Sequence, residues 1–273
     1  MRERATGPGT QSRLRLTSVN AGDRGAGSID RAPTGGRLRS ASTSAKGAAL
    51  DLLEFARGPA LWASLAVCFV GIAWRLWGIF RRPVKRDWSE PRSTAAAAGA
   101  LRMIVRRMWH HPTFRQRTVL TSFNAYAYHL GLAIVFFGFL PHIEFIRRLT
   151  GLAWPAVPAW LFVAAVGAVF VGLAWALVAR LTNPVLKLLS NFDDYFSWVV
   201  TMAPMVTGMA VISQPIGEAY PAVPANPLPL AVHLLSLELL LVWLPFGKLS
   251  HAFLVFLSRG YTGAAFTRKG AEP

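Results

Sequence analysis

"HLLSLELLLVWLPFGKLSH", His233 to His251, sets two histidines at the ends of an apolar run that also holds a glutamate. A helix needs ~20 mostly apolar residues to cross a bilayer core ~30 Å thick. Imidazole and carboxyl groups at that depth are costly, so by default they mark function. Reading this stretch as a membrane span decides the fold, and the rest of the chain agrees with it. Four similar stretches precede it, at about 60–80, 119–140, 157–179 and 192–212, and the last runs over about 228–257. The expected fold class is an all-α membrane protein with five transmembrane helices.

The chain has 273 residues, 53% of them apolar, and a net charge of +16. In a soluble protein such a charge would point to nucleic acid. Here most of the basic residues fall between or beyond the spans, which is the pattern of membrane topology, and no nucleic-acid partner is expected. Residues 81–117 hold ten Lys/Arg against Asp87 and Glu90, so this loop is assigned to the cytoplasm. The link after the third span (Arg180, Lys187) and the tail after the fifth (Arg259, Arg268, Lys269) then fall on the same side. This places the N-terminus outside and the C-terminus in the cytoplasm, with the bacterial inner membrane as the expected location. Residues 1–57 carry ten Arg/Lys, five acids and no apolar signal-peptide core, and Gly, Ser, Thr and Arg dominate the first 48. They are read as a basic, disordered tail, with 58–259 as the membrane domain and 260–273 as a cytoplasmic tail.

Several chemistries are excluded. Cys68, the single cysteine, cannot supply the several thiolates of an iron–sulfur cluster. "GDRGAG" at Gly22 to Gly27 has neither the strand nor the helix that a phosphate loop requires. No clustered His/Cys set of zinc type lies in the spans. Met202, Met205 and Met209 share one face of the fourth span, a spacing that packing explains better than thioether ligation.

Four of the six histidines fall on two spans: His129 and His142 on the second, His233 and His251 on the fifth. Span two leaves the cytoplasm and span five returns to it, so depth can be matched. His129 meets His251 toward the inside, and His142 meets His233 toward the outside. Two stacked imidazole pairs are what two bis-histidine b-type haems require, one ring on each side of each porphyrin. His233 and His251 are 18 residues apart, about five turns, which puts both rings on one face of a continuous helix. The 13 residues from His129 to His142 give roughly 220° of rotation, so a bend is expected, with Pro141 and Pro245 as its sources. Gly131, Gly138, Ser236 and Ser250 either leave room for a flat macrocycle or serve close helix contacts.

"NAYAYHLGLAIVFFGF" (Asn124 to Phe139) followed by the opening stretch resembles the gamma subunit of respiratory nitrate reductase and its relatives in heterodisulfide-reductase-like and sulfite-reduction-associated membrane complexes. The resemblance covers roughly 60–259. His129 falls on the family's first ligand, and His233 and His251 fall on its later pair, with the "P-F-x-[basic]-x-x-H" ending intact. Where the family has a histidine ten residues after the first, this chain has Phe139; His142, one turn further, is the substitute. The resemblance implies a membrane-anchoring cytochrome b subunit with two haems b. It would oxidise quinol near the outer face and pass electrons to a cytoplasmic iron–sulfur subunit and a molybdenum or other catalytic subunit. It is thus an electron-transfer subunit of an oxidoreductase, with no terminal substrate chemistry of its own.

Further expectations attach to single residues. Lys248, at the family's basic position, either pairs with a haem propionate or snorkels to the surface. His142, Glu144, Arg147 and Arg148 are the candidate quinol site, the last three equally an interfacial charge cluster. Glu238 is a protonated interhelical carboxyl or part of a proton path, and Asp193 with Asp194 suits a helix N-terminus. His110 and His111 belong to the basic loop that, with the C-terminal tail, is expected to meet the partner, and by themselves they read as solvated loop residues. The rival readings are a haemless anchor for a peripheral enzyme, a heterodisulfide-reductase-type cytochrome running sulfur redox chemistry, and, last, a transporter, for which no internal repeat is found.

Overall fold

The structure, a computed structural model, describes residues 34–83, 88–108, 115–212 and 226–271, with the backbone alone for 34–42, 115 and 117. His110, His111 and the glycine-rich stretch at 22–27 lie outside the described residues. The chain divides into Met1–Ser42, of which only the start of a helix is described, and Thr43–Pro273. Among the described residues every regular element is helical.

Helix α1 (Thr34–Phe55) passes through one π turn, Ala56–Ala60, into α2 (Leu61–Phe80). The helical state of 34–55 corrects the expectation of disorder up to residue 57. The second half of α1, "GAALDLLEF", has helix-forming alanines and leucines, and Leu53 is buried. Next come α3 (Ala96–Arg106), α4 (Arg115–Gly138), α5 (Leu140–Thr150) and α6 (Ala159–Thr182). After them follow α7 (Pro184–Leu189), α8 (Phe192–Ile212), α9 (Leu228–Trp243) and α10 (His251–Arg268). Four helices are long and apolar enough to cross a membrane, Thr43–Phe80, Thr118–Gly138, Ala159–Thr182 and Phe192–Ile212, and the bent pair α9 and α10 makes a fifth if it counts as one span.

The helices pack in the order α4, α6, α8, α9, α2. Where α4 meets α6, Tyr128 lies against Gly172 and Gly131 against Val169. Arg180 and Leu173 of α6 meet Asp194 and Trp198 of α8, and Ser197 and Thr207 of α8 meet Trp243 and Ser236 of α9. Each of these neighbours runs antiparallel to the next. Gly71 and Arg75 of α2 meet Pro245 and Ser250, so α2 runs parallel to α9. Helix direction thus alternates along the row from α4 to α9. Val169, Leu173 and Met205 form the core, with Tyr128, Leu132, Val135, Trp198 and Met202 against them. Met202 and Met205 are therefore packing residues.

Both histidine-bearing spans break. Helix α4 ends at Gly138, and Phe139 is extended (φ −84°, ψ 125°) before α5 starts with Pro141 in its first turn. Helices α9 and α10 are bent by 75°. Pro245 has no N–H and its ring clashes with the carbonyl one turn back, so α9 cannot continue through it. A short 3-10 turn, Lys248–Ser250, then leads into α10. The five-turn continuous helix from His233 to His251 is thus corrected: the chain turns between them.

Candidate functional site

The two predicted histidine pairs come together. The ring centroids of His129 and His251 are 6.0 Å apart with planes at 89°. Those of His142 and His233 are 6.2 Å apart with planes at 12°. The breaks make this possible: at Phe139 the chain escapes the rotation that a straight helix would force on His142, and the turn at 244–250 re-aims His251. Helices α4 and α5 do not pack along α9 or α10, so the pairs face each other across an open seam in the bundle.

The outer ring nitrogens are arranged alike at all four histidines. His129 Nδ1 donates to the Ala125 carbonyl at 2.7 Å, His142 Nδ1 to the Val135 carbonyl at 3.0 Å, and His251 Nδ1 to the Lys248 carbonyl at 2.8 Å. A carbonyl only accepts, so each of these rings carries its proton on Nδ1 and leaves the Nε2 lone pair free. His233 Nδ1 lies 3.2 Å from Thr207 Oγ1. That hydroxyl also lies 2.8 Å from the Ala203 carbonyl and 2.9 Å from Ser236 Oγ, and this polar cluster holds the His233 ring by its Nδ1. Metal-ligating histidines are typically held by their second nitrogen in this way.

The spacing fits one metal atom per pair. With metal–imidazole bonds of ~2 Å and the ring centre ~1 Å behind the nitrogen, two imidazoles sharing an atom stand ~6 Å apart, centroid to centroid. Among the described residues no three or more His, Cys, Asp or Glu side chains come together to hold a bare ion. The imidazoles meet only in twos, which suits a metal whose other ligands come from a macrocycle. Aromatic rings flank the pairs: Tyr128 stacks on His129 at 4.3 Å, and Phe136 and Phe139 lie 5.7 and 5.3 Å from His142.

Other sequence expectations divide. Lys248 is committed elsewhere: its Nζ pairs with Asp194, which Arg180 also holds at 2.8 Å. The carboxylate is buried while the lysine side chain stays 48% exposed. Asp193 and Asp194 in turn are more than a charged helix start, since Asp194 is buried. Glu144 and Arg147 form an ion pair at 2.8 Å, one turn apart on α5, which ends at Gly151 in the left-handed region (φ 80°). Arg148 is exposed beside them. Gly131 faces Val169 of α6, and Gly138 faces Val157 in the link before α6, so both serve close backbone contacts. Ser236 bonds Thr207 at 2.9 Å, and Ser250 accepts from Arg75 at 3.5 Å.

Gly208 is a site residue that sequence reasoning misses. A Cβ there would stand 3.2 Å from His233 Cε1, so a larger residue would force the ring or α8 to shift. The signal is present as a Thr-Gly pair (Thr207, Gly208) just after Pro204 in an apolar span.

No family model matches the chain, and no solved structure matches it. A protein of Nitratidesulfovibrio vulgaris, named simply "Protein", is 28% identical over 224 residues, which is 80% of this chain and 95% of the relative. The likeness brings no activity with it.

Proposed function

We propose that this chain is the membrane cytochrome b subunit of a respiratory oxidoreductase, five-spanning in the bacterial inner membrane with its N-terminus outside. It would transfer electrons between the quinol pool and a cytoplasmic iron–sulfur and catalytic partner. The observation that carries the reading is the double pairing of histidines at 6.0 and 6.2 Å, each ring held by Nδ1. His129 with His251 would ligate an inner haem b, and His142 with His233 an outer one. When bound between two imidazoles, a haem supplies a one-electron redox centre within the bilayer.

The chain's own residues do the rest. The backbone carbonyls of Ala125, Val135 and Lys248, with Thr207, fix ring orientation and ligand basicity. Near α5, a quinol would meet His142, Glu144, Arg147 and Arg148. With both His142 nitrogens engaged, Glu144 is the group left to take a quinol proton, once its pair with Arg147 opens. On the opposite side α3 and α10 cross closely at Gly99 and Gly263. Arg268 Nη2 donates to the Ser89 carbonyl at 2.9 Å, clasping the basic loop to α10. This basic face is the surface offered to the partner.

The test is haem quantification with reduced-minus-oxidised spectra on the purified wild type, His251→Ala and His142→Ala. The wild type should show b-type bands and each variant should lose one of two haems. A colourless wild type would overturn the reading in favour of a haemless anchor.

A further inference from the structure

The acidic pair that opens α8 reaches across the bundle to the turn that carries His251. Asp194 is 8% exposed. Its Oδ1 meets Arg180 Nη1 at 2.8 Å, and its Oδ2 pairs with Lys248 Nζ and accepts the Asn191 N–H at 3.0 Å. Asp193 Oδ1 accepts the backbone N–H of Lys248 at 3.0 Å and the Ser197 hydroxyl at 2.8 Å. Ser197 Oγ in turn accepts Trp243 Nε1 at 3.0 Å, at the last residue of α9. The two aspartates therefore grip both ends of the break between α9 and α10.

A helix-dipole role does not account for this. It asks only for acids in the first turn, exposed to solvent, whereas here one carboxylate is buried between two cations and the other bonds a backbone amide 55 residues away in sequence. The break supplies the need: the Phe246 and Gly247 amides still bond the Trp243 carbonyl and the Ser250 amide that of Gly247, and the Lys248 amide between them is taken by Asp193. The next link reaches the ring, because the Lys248 carbonyl is the acceptor for His251 Nδ1 at 2.8 Å. A path of bonded groups thus runs from Asp193 through Lys248 N–H, and from Asp194 through Lys248 Nζ, to one imidazole of the inner pair. No comparable acid touches His142, His233 or His129 among the described residues.

We infer that Asp193 and Asp194 are positioning residues for His251, holding the 244–250 turn from α8 so that the ring faces His129 with its proton on Nδ1. The redox consequence rests on the cytochrome reading; the clamp does not.

The experiment uses the purified full chain, wild type against Asp193→Ala, Asp193→Asn and Asp194→Asn. Backbone hydrogen exchange over residues 244–251 reads the clamp with or without haem. Loss of an amide bond to a carboxylate should raise exchange at Lys248 by roughly tenfold or more in Asp193→Ala. Asp193→Asn, which keeps an oxygen acceptor, should restore most of it. In the haem-loaded protein, the midpoint potential and ferric spectrum of the haem lost in His251→Ala should shift in Asp193→Ala and Asp194→Asn, with the other haem unmoved. If Asp194→Asn does not fold, Asp193→Ala, which breaks no ion pair, still decides. Unchanged exchange in Asp193→Ala, or equal shifts at both haems, would overturn the inference. A colourless wild type would sink the cytochrome reading alone, and the exchange result would still judge the clamp.

Discussion

His129 and His251 stand with their ring planes at 89°, while His142 and His233 are within 12° of parallel. Each angle is locked by the Nδ1 bonds. In a low-spin ferric haem, crossed imidazole planes leave the two π-type d orbitals nearly degenerate, and parallel planes split them. On the proposed two-haem reading, electron paramagnetic resonance should therefore give two distinct ferric signals, one strongly anisotropic and one rhombic. His251→Ala should remove the first and His233→Ala the second. Two identical signals would contradict the ring geometry.

The outer pair depends on α8 as well as on its own helices. Gly208 lies against His233, where an added Cβ would come within 3.4 Å of Nδ1, and Thr207 orients that nitrogen. Gly208→Leu should displace the ring and, on the proposed two-haem reading, lower bound haem from two per chain to about one. Thr207→Val keeps the shape and removes the hydroxyl, so haem content should hold while the outer potential moves. Haem assay and redox titration separate the two, and a Gly208→Leu protein with full haem content would refute the contact.

The spans and the pairing of histidines are legible in the sequence because apolar length and depth are one-dimensional quantities. What is not legible comes from the breaks. An 18-residue gap reads as five turns, yet Pro245 and Gly247 bend the chain by 75° between His233 and His251. Lys248 reads as a cation waiting for a propionate, because nothing local shows that Asp194, more than fifty residues earlier, lies at the same height. The small residues point the wrong way for a similar reason: Gly131 and Gly138 mark the faces toward α6 and the link before it, and only packing tells one face of an apolar helix from another.

Glu238 is 6% exposed, and its Oε1 has no hydrogen-bond partner among the described residues. A buried polar atom left unpaired costs about 1–3 kcal/mol. Glu238→Leu should therefore raise thermal stability in detergent, and Glu238→Gln should change it little. Loss of stability in Glu238→Leu, together with slowed quinol-linked reduction, would instead assign this carboxyl to a proton path.

Gly247 sits where the broken span is tightest. A Cβ there would run into the Trp243 indole and approach Asp193 Oδ1 to 2.8 Å, two groups already fixed by their bonds to Ser197 and to the Lys248 amide. Neither is the free end of a flexible chain, so the backbone of the turn has to move. Overpacking of this kind costs about 1–3 kcal/mol. The movement should fall on His251, three residues past Lys248, and leave His233 in place, because α9 is held along α8 by Thr207 and Ser236. Gly247→Ala should accordingly lower thermal stability and perturb the haem signal that His251→Ala abolishes, with the other signal intact. Equal disturbance of both signals would mean that the turn and α9 move as one body, and that the break is not the hinge on which the inner pair is set.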